Sequence, residues 1–342
     1  MKNNTYPVAV GIDVAKATLC VCVRYADDTE HAHTIRNTET DINQKLIPCI
    51  EKCTGTVVME STGHYHILPA LLLTEHGCDV RVVNPILAKQ YTSGNVRKVK
   101  TDPADAQGLA RMAAVADNLP PQFSLTKEKI QLRKKFALLS SMSHHLQAMR
   151  ASITSATELQ EIIHTEDSPG LVALRESYTN VKSAMEKLSR ECVAEAQACT
   201  ETKETMELLE TIPGVSALCA ALSLNWFSLT PETTTRSLVA YAGLDVSSRS
   251  SGTWRGTCKL TKRGNAFLRK RLFSAAWGAV MNNTNFRLYY DNLKTQDGRT
   301  HTEALVIISR KIVRIMYHVI KQKTAYDPAL FTHKYVSTGG SV

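Results

Sequence analysis

No stretch of the 342-residue sequence reaches the roughly 18–20 consecutive apolar residues that a membrane-spanning helix needs. The start, Met1 to Pro7, also lacks the basic-then-apolar layout of a secretory signal. These absences predict a protein of the cytoplasm with no membrane partner. Cysteine occurs nine times, at 20, 22, 49, 53, 78, 192, 199, 219 and 258, yet never as CxxC. An odd count without that spacing excludes zinc knuckles and a disulfide framework, and predicts reduced, mostly buried thiols. His64 with His66, and His144 with His145, have no third ligand beside them and are assigned no site. Charged residues are only 21% against 43% hydrophobic, which excludes a disordered chain and leaves an ordinary globular one of about two domains.

What is present in excess is positive charge. Lys and Arg number 41 against 32 Asp and Glu, a net +9, and the excess is unevenly placed. Residues 81–150 carry 12 basic against 4 acidic residues, and 249–323 carry 16 against 3. Residues 158–210 reverse the sign, with 5 basic against 12 acidic. Two basic blocks flanking an acidic one predict a polyanionic partner held at two places.

Hydrophobic periodicity divides the chain. Val8–Val14, Leu19–Arg24, Thr56–Glu60 and Asp79–Val83 read as strands, and Asp41–Lys52 and Ile67–His76 as helices, giving an α/β domain with a mixed sheet. From Leu132 a heptad follows, with Leu139, Leu146 and Ile153 at one position and Met142, Met149 and Ala156 at the other. Ser168-Pro169-Gly170 ends it, and a second heptad runs from Leu171 through Tyr178, Met185, Cys192 and Cys199 to Met206 and Leu209. Two helices of nearly 40 residues, about 55–60 Å long each, are predicted as an antiparallel arm. Beyond them, Ile212-Pro213-Gly214-Val215 reads either as a plain interhelical turn or as a turn aiming backbone N–H groups at a phosphate. The end of the chain is helical and basic.

Four carboxylates stand out by position. Asp13 interrupts an apolar strand, and Glu60 closes another. Asp102 and Asp105 lie three apart at a helix start, on one face. Oxygen ligands converging from separate elements suit Mg²⁺, and paired ions suit phosphodiester transfer. For Asp102 and Asp105 the competing reading is helix capping, since Pro103 fits the first helical position. Acids in this strand, strand, helix order look like an RNase H or RuvC-like nuclease core. In Ser247-Ser248-Arg249-Ser250-Ser251-Gly252 a hydroxyl beside Arg249 and Arg255 could attack a phosphate, although most Ser-rich loops are simply flexible. Tyr241 is a rival nucleophile whose apolar neighbours predict core packing instead.

Eight motifs in order resemble one family: Gly-Ile-Asp-Val-Ala-Lys at 11–16, Glu-Ser-Thr-Gly-His-Tyr at 60–65, Val-Val-Asn-Pro at 82–85, Lys-Thr-Asp-Pro-Ala-Asp-Ala at 100–106, Ile-Pro-Gly-Val at 212–215, Ala-Gly-Leu at 242–244, Ser-Ser-Gly at 250–252 and Lys-Arg-Gly-Asn at 262–265. The set is similar to the DEDD transposases of the insertion-sequence 110 family, the bridge recombinases related to Piv DNA invertases. The resemblance implies an α/β plus α chain. A RuvC/RNase H-like catalytic domain would occupy 1–125, a long antiparallel coiled-coil arm 126–206, and a mainly helical C-terminal transposase domain 207–342. It also implies Mg²⁺, as two ions, on Asp13, Glu60, Asp102 and Asp105, and a nucleophile at Ser251, with Ser250 the one-residue alternative. Nucleic-acid contacts would come from Arg97, Lys98, Lys100, Arg249, Arg255, Lys262, Arg263, Arg269, Lys270 and Arg271.

The partners implied are donor and target DNA, a noncoding bridge RNA, and further copies of the chain, as a homodimer assembling to a homotetramer. The place implied is the bacterial cytoplasm, on the nucleoid when bound. The reaction implied is cutting and rejoining of DNA through a phosphoserine linkage. A RuvC-like structure-selective nuclease without a covalent step is the enzymatic alternative, and a basic DNA-architectural protein the non-enzymatic one.

Overall fold

The computed structural model describes residues 6–92, 102–117, 119–227, 233–247, 250–251, 254–255 and 259–331. The chain divides into two compact units, 1–128 and 129–342.

The first unit is built on five strands. β1 (Pro7–Val14), β2 (Thr18–Tyr25) and β3 (Glu30–Arg36) form an antiparallel meander, and β4 (Thr56–Glu60) and β5 (Asp79–Val83) add in parallel beside β1, for the order β3-β2-β1-β4-β5. β1 and β2 are buried along nearly their whole length, because both faces of the central sheet are covered. Between β3 and β4 run α1 (Glu39–Asp41), a wider π-helical turn (Ile42–Leu46) and α2 (Ile47–Ile50). Ile42, Leu46 and Ile50 bury their side chains there, and α3 (Ile67–Glu75) adds Leu72 and Leu73. Asp41, itself buried, is the polar anchor of this segment: it accepts hydrogen bonds from the Arg36 guanidinium and from Lys45 Nζ, both at 3.0 Å.

α4 (Pro85–Thr92) and α5 (Asp102–Val115) follow β5. The α5 face packs Ala106 and Ala110 with Cys20 and Cys22, and Leu109 and Met112 with Val58 and Val83. One contact fixes its depth. A Cβ added at Gly11 would fall 2.2 Å from both the Ala106 carbonyl and the Ala110 amide. Only glycine lets α5 approach β1 this closely.

The second unit is helical. It is fed by α6 (Lys127–Ile163), which runs antiparallel to α7 (Pro169–Gln197): Lys135 pairs with Glu195 near one end, and Arg175 donates to Thr157 Oγ1 at 2.9 Å near the other. The turn between them is capped as its sequence suggests, with Ser168 accepting from the Leu171 amide and Pro169 opening the helix. Near this turn Leu159, Ile162, Ile163 and Val172 are exposed. The second long helix is shorter than its heptads imply. It stops at Gln197, Cys199 is extended and exposed, and α8 (Thr200–Glu210) begins afresh. Apolar spacing reports the buried side of a segment, and burial of Met206 and Leu209 continues across a break that spacing does not register.

α9 (Ala217–Trp226), α10 (Thr235–Tyr241), α11 (Ala266–Asn282), α12 (Thr284–Thr295) and α13 (His301–Gln322) complete the unit. They share one core with the base of the helical pair, Leu132, Phe136, Leu139 and Cys192 included. Between α10 and α11 the chain makes two short ladders, β6 (Val246–Ser247) with β9 (Lys259–Leu260) and β7 (Ser250–Ser251) with β8 (Trp254–Arg255). The thiols divide by place: Cys20, Cys22, Cys192 and Cys219 are buried, Cys53 and Cys78 half-buried, and Cys49 and Cys199 exposed.

Candidate functional site

Strand register brings two acids of the first unit level with each other. β1 and β4 pair Val10 with Val57, Gly11 with Val58 and Ile12 with Met59, so the next step sets Asp13 level with Glu60 at the C-terminal ends of two parallel strands. Directly paired residues share a face. Val58 packs on Leu109 and Met112, and Gly11 lies under Ala106 and Ala110, so the face that Asp13 and Glu60 share is the α5 side. The direction of α5 follows from Arg111 near its C-terminal end, which reaches Glu30, the residue registered with Arg24 and through it with Ala9 at the start of β1. The N-terminal end of α5, with Asp102 and Asp105, therefore points toward the Asp13 end of the strand.

Asp13, Glu60 and Asp105 are half-buried, and neither Glu60 nor Asp105 forms an ion pair among the described residues. Asp102 opens the helix, and its side chain lies outside the described residues. Among the described residues no three His, Cys, Asp or Glu side chains are drawn together tightly enough to hold an ion. The donor set is nevertheless of the right chemistry for Mg²⁺: carboxylate oxygens alone, from two strands and a helix. The positive end of the helix dipole also favours their charge. Just past Glu60, His66 is half-buried with its Nδ1 lacking a partner, and burial pulls the ring below the ordinary histidine range.

The serine lies on the hairpin of the second unit. Register sets Ser250 opposite Arg255 and Ser251 opposite Trp254, which makes Ser251 the last ladder residue before the turn. Side chains at 248–259 lie outside the described residues, Ser250, Ser251, Arg249 and Arg255 among them. The base of the hairpin is anchored: Thr261 Oγ1 donates to the Asp245 carboxylate, and the Thr261 amide donates to the Asp245 carbonyl at 3.0 Å.

The basic residues fall into three groups. Arg97, Lys98 and Lys100 lie outside the described residues. Lys262 and Arg263 are exposed. The α11 trio is partly engaged within the fold. Arg269 donates to the carbonyls of Ala242 (3.4 Å) and Gly264 (3.2 Å), Lys270 donates to Ser143 Oγ at 2.7 Å, and the Arg271 guanidinium lies 5.0 Å over the Phe267 ring. Burial lowers the pKa of all three. Sequence reasoning did not single out Arg310 and Lys311 of α13. Both are likewise depressed, chiefly by burial and then by the neighbouring Arg314. A run of cations on a helix with buried Ile308 and Ile312 was the available signal.

Three motifs of the second unit make close backbone contacts within the fold. A Cβ at Gly264 would fall 2.0 Å from the Tyr241 carbonyl, and one at Gly243 would fall 2.6 Å from the Gly264 amide, while Asn265 caps α11 through the Leu268 amide at 2.8 Å. Ala-Gly-Leu and Lys-Arg-Gly-Asn are thus two halves of one backbone contact. Gly214, at φ +81°, packs its backbone on Ala275 and Ala279, so the Pro-Gly turn is spent on α11, as the plain interhelical reading requires. Tyr241 corrects an expectation: it is 47% exposed, and its neighbours Ala242 and Leu244 supply the burial instead.

Comparison with known proteins bears on both units. Residues 10–163 match a family of transposases of the DEDD, insertion-sequence 110 type, and residues 206–291 match the transposase family of IS116, IS110 and IS902. The chain belongs to the IS110 family of transposases. Among its relatives is the pilin gene-inverting protein of Moraxella bovis, 26% identical over 332 residues, a match covering 93% of this chain and 97% of the relative. A probable family 20 transposase of Pseudomonas aeruginosa is 23% identical over 93% of this chain and 98% of its own. The insertion element IS110 43.6 kDa protein of Streptomyces coelicolor is 28% identical over 42% of this chain and 36% of its own length. The first two matches extend over nearly the whole length of both chains. Membership supports DNA recombinase or transposase activity. No helix among the described residues is long and apolar enough to cross a membrane.

Proposed function

We propose that this transposase cuts and rejoins donor and target DNA by joining two half-sites: four carboxylates on a RuvC/RNase H-like sheet, and a serine on the C-terminal hairpin. The observation that carries the reading is the register that sets Asp13 beside Glu60, with the N-terminus of α5 directed toward them. The strand order, an antiparallel meander extended by two parallel strands, supports the RNase H-like assignment. The three-part division at 1–125, 126–206 and 207–342 extends the same reading, with α6 and α7 as the coiled-coil arm.

Asp13, Glu60, Asp102 and Asp105 would hold Mg²⁺, as two ions, supplying Lewis-acid activation of a scissile phosphate. Ser251 Oγ attacks phosphorus, so a serine O–P bond forms as the bond to the 3′-oxygen breaks. The proton lost by the serine is balanced by the one gained at the departing 3′-hydroxyl. The phosphoserine linkage keeps the energy of the phosphodiester, so the reverse attack by a 3′-hydroxyl of the second duplex needs no nucleotide hydrolysis. The exposed Lys262 and Arg263, with Arg249 and Arg255 on the hairpin, are the proposed contacts to the nucleic-acid backbone there. A bridge RNA pairing with both DNAs would supply sequence choice, and a tetramer would bring acids and serines of different copies together.

Trapping of denaturant-resistant protein–DNA adducts tests this chemistry. Adducts are expected with the unaltered chain and with Ser250→Ala, and none with Ser251→Ala. Mg²⁺-dependent cleavage without any adduct would replace this reading with the structure-selective nuclease. Ribonuclease treatment of the purified complex tests the guide, since recombination should then fail.

A further inference from the structure

We infer that Asn37 is a positioning residue for the acid site, stapling together the two strand ends that carry Asp13 and Glu60. The inference rests on the metal-site reading above and adds a residue outside it.

Asn37 is the first residue after β3, and its backbone amide donates to the Ala17 carbonyl at 2.9 Å. From there its side-chain amide nitrogen reaches across the strand ends. It donates to the Ala15 carbonyl at 3.1 Å and to the Tyr65 carbonyl at 3.1 Å. Ala15 lies two residues beyond Asp13, in the turn that leaves β1, and Tyr65 lies in the loop that leaves β4 after Glu60. One planar NH₂ group thus bridges segments 22 and 28 residues away in sequence, each in the turn or loop that follows an acid-bearing strand. Two carbonyl acceptors fix the orientation of the amide, because only its nitrogen can satisfy both.

The arrangement has a cost that argues for a purpose. Asn37 Oδ1 is buried and has no hydrogen-bond partner. An unsatisfied buried acceptor is unfavourable, so the two donated bonds are kept at the expense of the third. Among the described residues, the other backbone hydrogen bonds of the loop are local or to β5: Thr62 N–H to the Glu60 carbonyl, Tyr65 N–H to the Thr62 carbonyl and Ser61 N–H to the Val83 carbonyl. Register alone sets the Cα atoms of Asp13 and Glu60 level. Asn37 ties the chain just downstream of both, where a small splay between the strand ends would move two carboxylates apart. Groups that orient metal ligands from outside typically change metal affinity about 10–100-fold when removed.

Mn²⁺ is the probe, titrated calorimetrically into the full-length protein, with Asn37→Ala, Asn37→Ser and Asp13→Asn compared and each variant's melting temperature recorded. Binding should be lost in Asp13→Asn, weakened about 10–100-fold in Asn37→Ala, and weakened less in Asn37→Ser, which keeps one donor. If Asn37→Ala does not fold, the serine variant decides. Mn²⁺ affinity equal to wild type in an Asn37 variant would overturn the inference while leaving the acid site standing. Weakening seen only where the melting temperature has also fallen would overturn it too, assigning Asn37 to stability alone. No Mn²⁺ binding by the unaltered protein, or equal binding by Asp13→Asn, would instead overturn the acid site itself.

Discussion

Asp13 and Ser251 are supported in opposite ways. Asp13 is the last residue but one of an eight-residue strand flanked on both sides, under a helix pressed to backbone contact at Gly11. Ser251 sits on a two-residue ladder beyond another two-residue ladder, anchored at its base by Asp245 and Thr261. Charged ligands that must share an ion need fixed separations, which a five-stranded sheet provides. A nucleophile that must reach a phosphate needs an accessible protrusion. The comparison predicts that damage to packing abolishes the first function at a distance, and damage to the hairpin affects the second locally.

The sharpest break is chemical. Glu60→Gln keeps the shape of the strand end and removes the charge of one proposed ligand, so DNA cleavage should fall by roughly three or more orders of magnitude with an unchanged melting curve. Next comes Gly11→Val, whose side chain has no room between β1 and α5. It should destabilise the first unit by about 1–3 kcal/mol or more in urea unfolding. It should also remove cleavage, while Cys192 and Cys219 in the second unit stay protected.

Acid separates the units in a further way. The Arg36 and Lys45 side chains hold the Asp41 carboxyl well below the usual carboxylate range. A depressed folded-state pKa means that the stabilisation is complete above the ordinary value of about 3.9 and is lost as pH falls below it. Asp41→Asn should therefore flatten the acid limb of the first unit's unfolding, followed by circular dichroism between neutral pH and strong acid. A smaller effect is expected from Thr261→Val, which removes one hydrogen bond at the hairpin base and should cost about 1 kcal/mol or less, read as reduced adduct formation with little change in melting. The mildest probe is alkylation. Cys199, exposed and with its thiol pKa lowered by hydrogen bonds from Thr202, should react first, whereas burial pushes Cys219 up to about 12 and Cys192 up to about 11. The order in which Cys22 and Cys192 become reactive in urea then tells which unit opens first.

Alternation and apolar runs make β1, β2, β4 and β5 legible in the sequence. β3 is not, because Glu30, His31, His33, Thr34 and Arg36 leave Ile35 as its one buried apolar residue, as suits an edge strand. Asp13 and Glu60 are legible because a carboxylate in or at the end of an apolar strand calls for a partner or a function, whereas Asp102 and Asp105 read equally as helix caps. The levelling of Asp13 with Glu60 is not, since it depends on the register between β1 and β4, and neither is the approach of α5, which depends on a glycine contact with a helix about 95 residues later. Charge counting marked α11 as nucleic-acid-binding, but it cannot see that Arg269 Nη1 donates to the carbonyls of Ala242 and Gly264. Asn37 carried no signal at all. An uncharged residue outside any motif becomes visible only through the two carbonyls it holds.

The contact between Gly243 and Gly264 closes the chain on itself around everything between them. With its entrance and exit fastened together, the intervening segment is a detachable module rather than a span of the scaffold. Closing a loop costs little more as it lengthens, about 0.6 kcal/mol per doubling. The hairpin could thus be exchanged, extended or shortened between relatives while α10 and α11 keep their places. The segment proposed to bear the nucleophile is therefore tied to the helical scaffold by one backbone contact at its two ends.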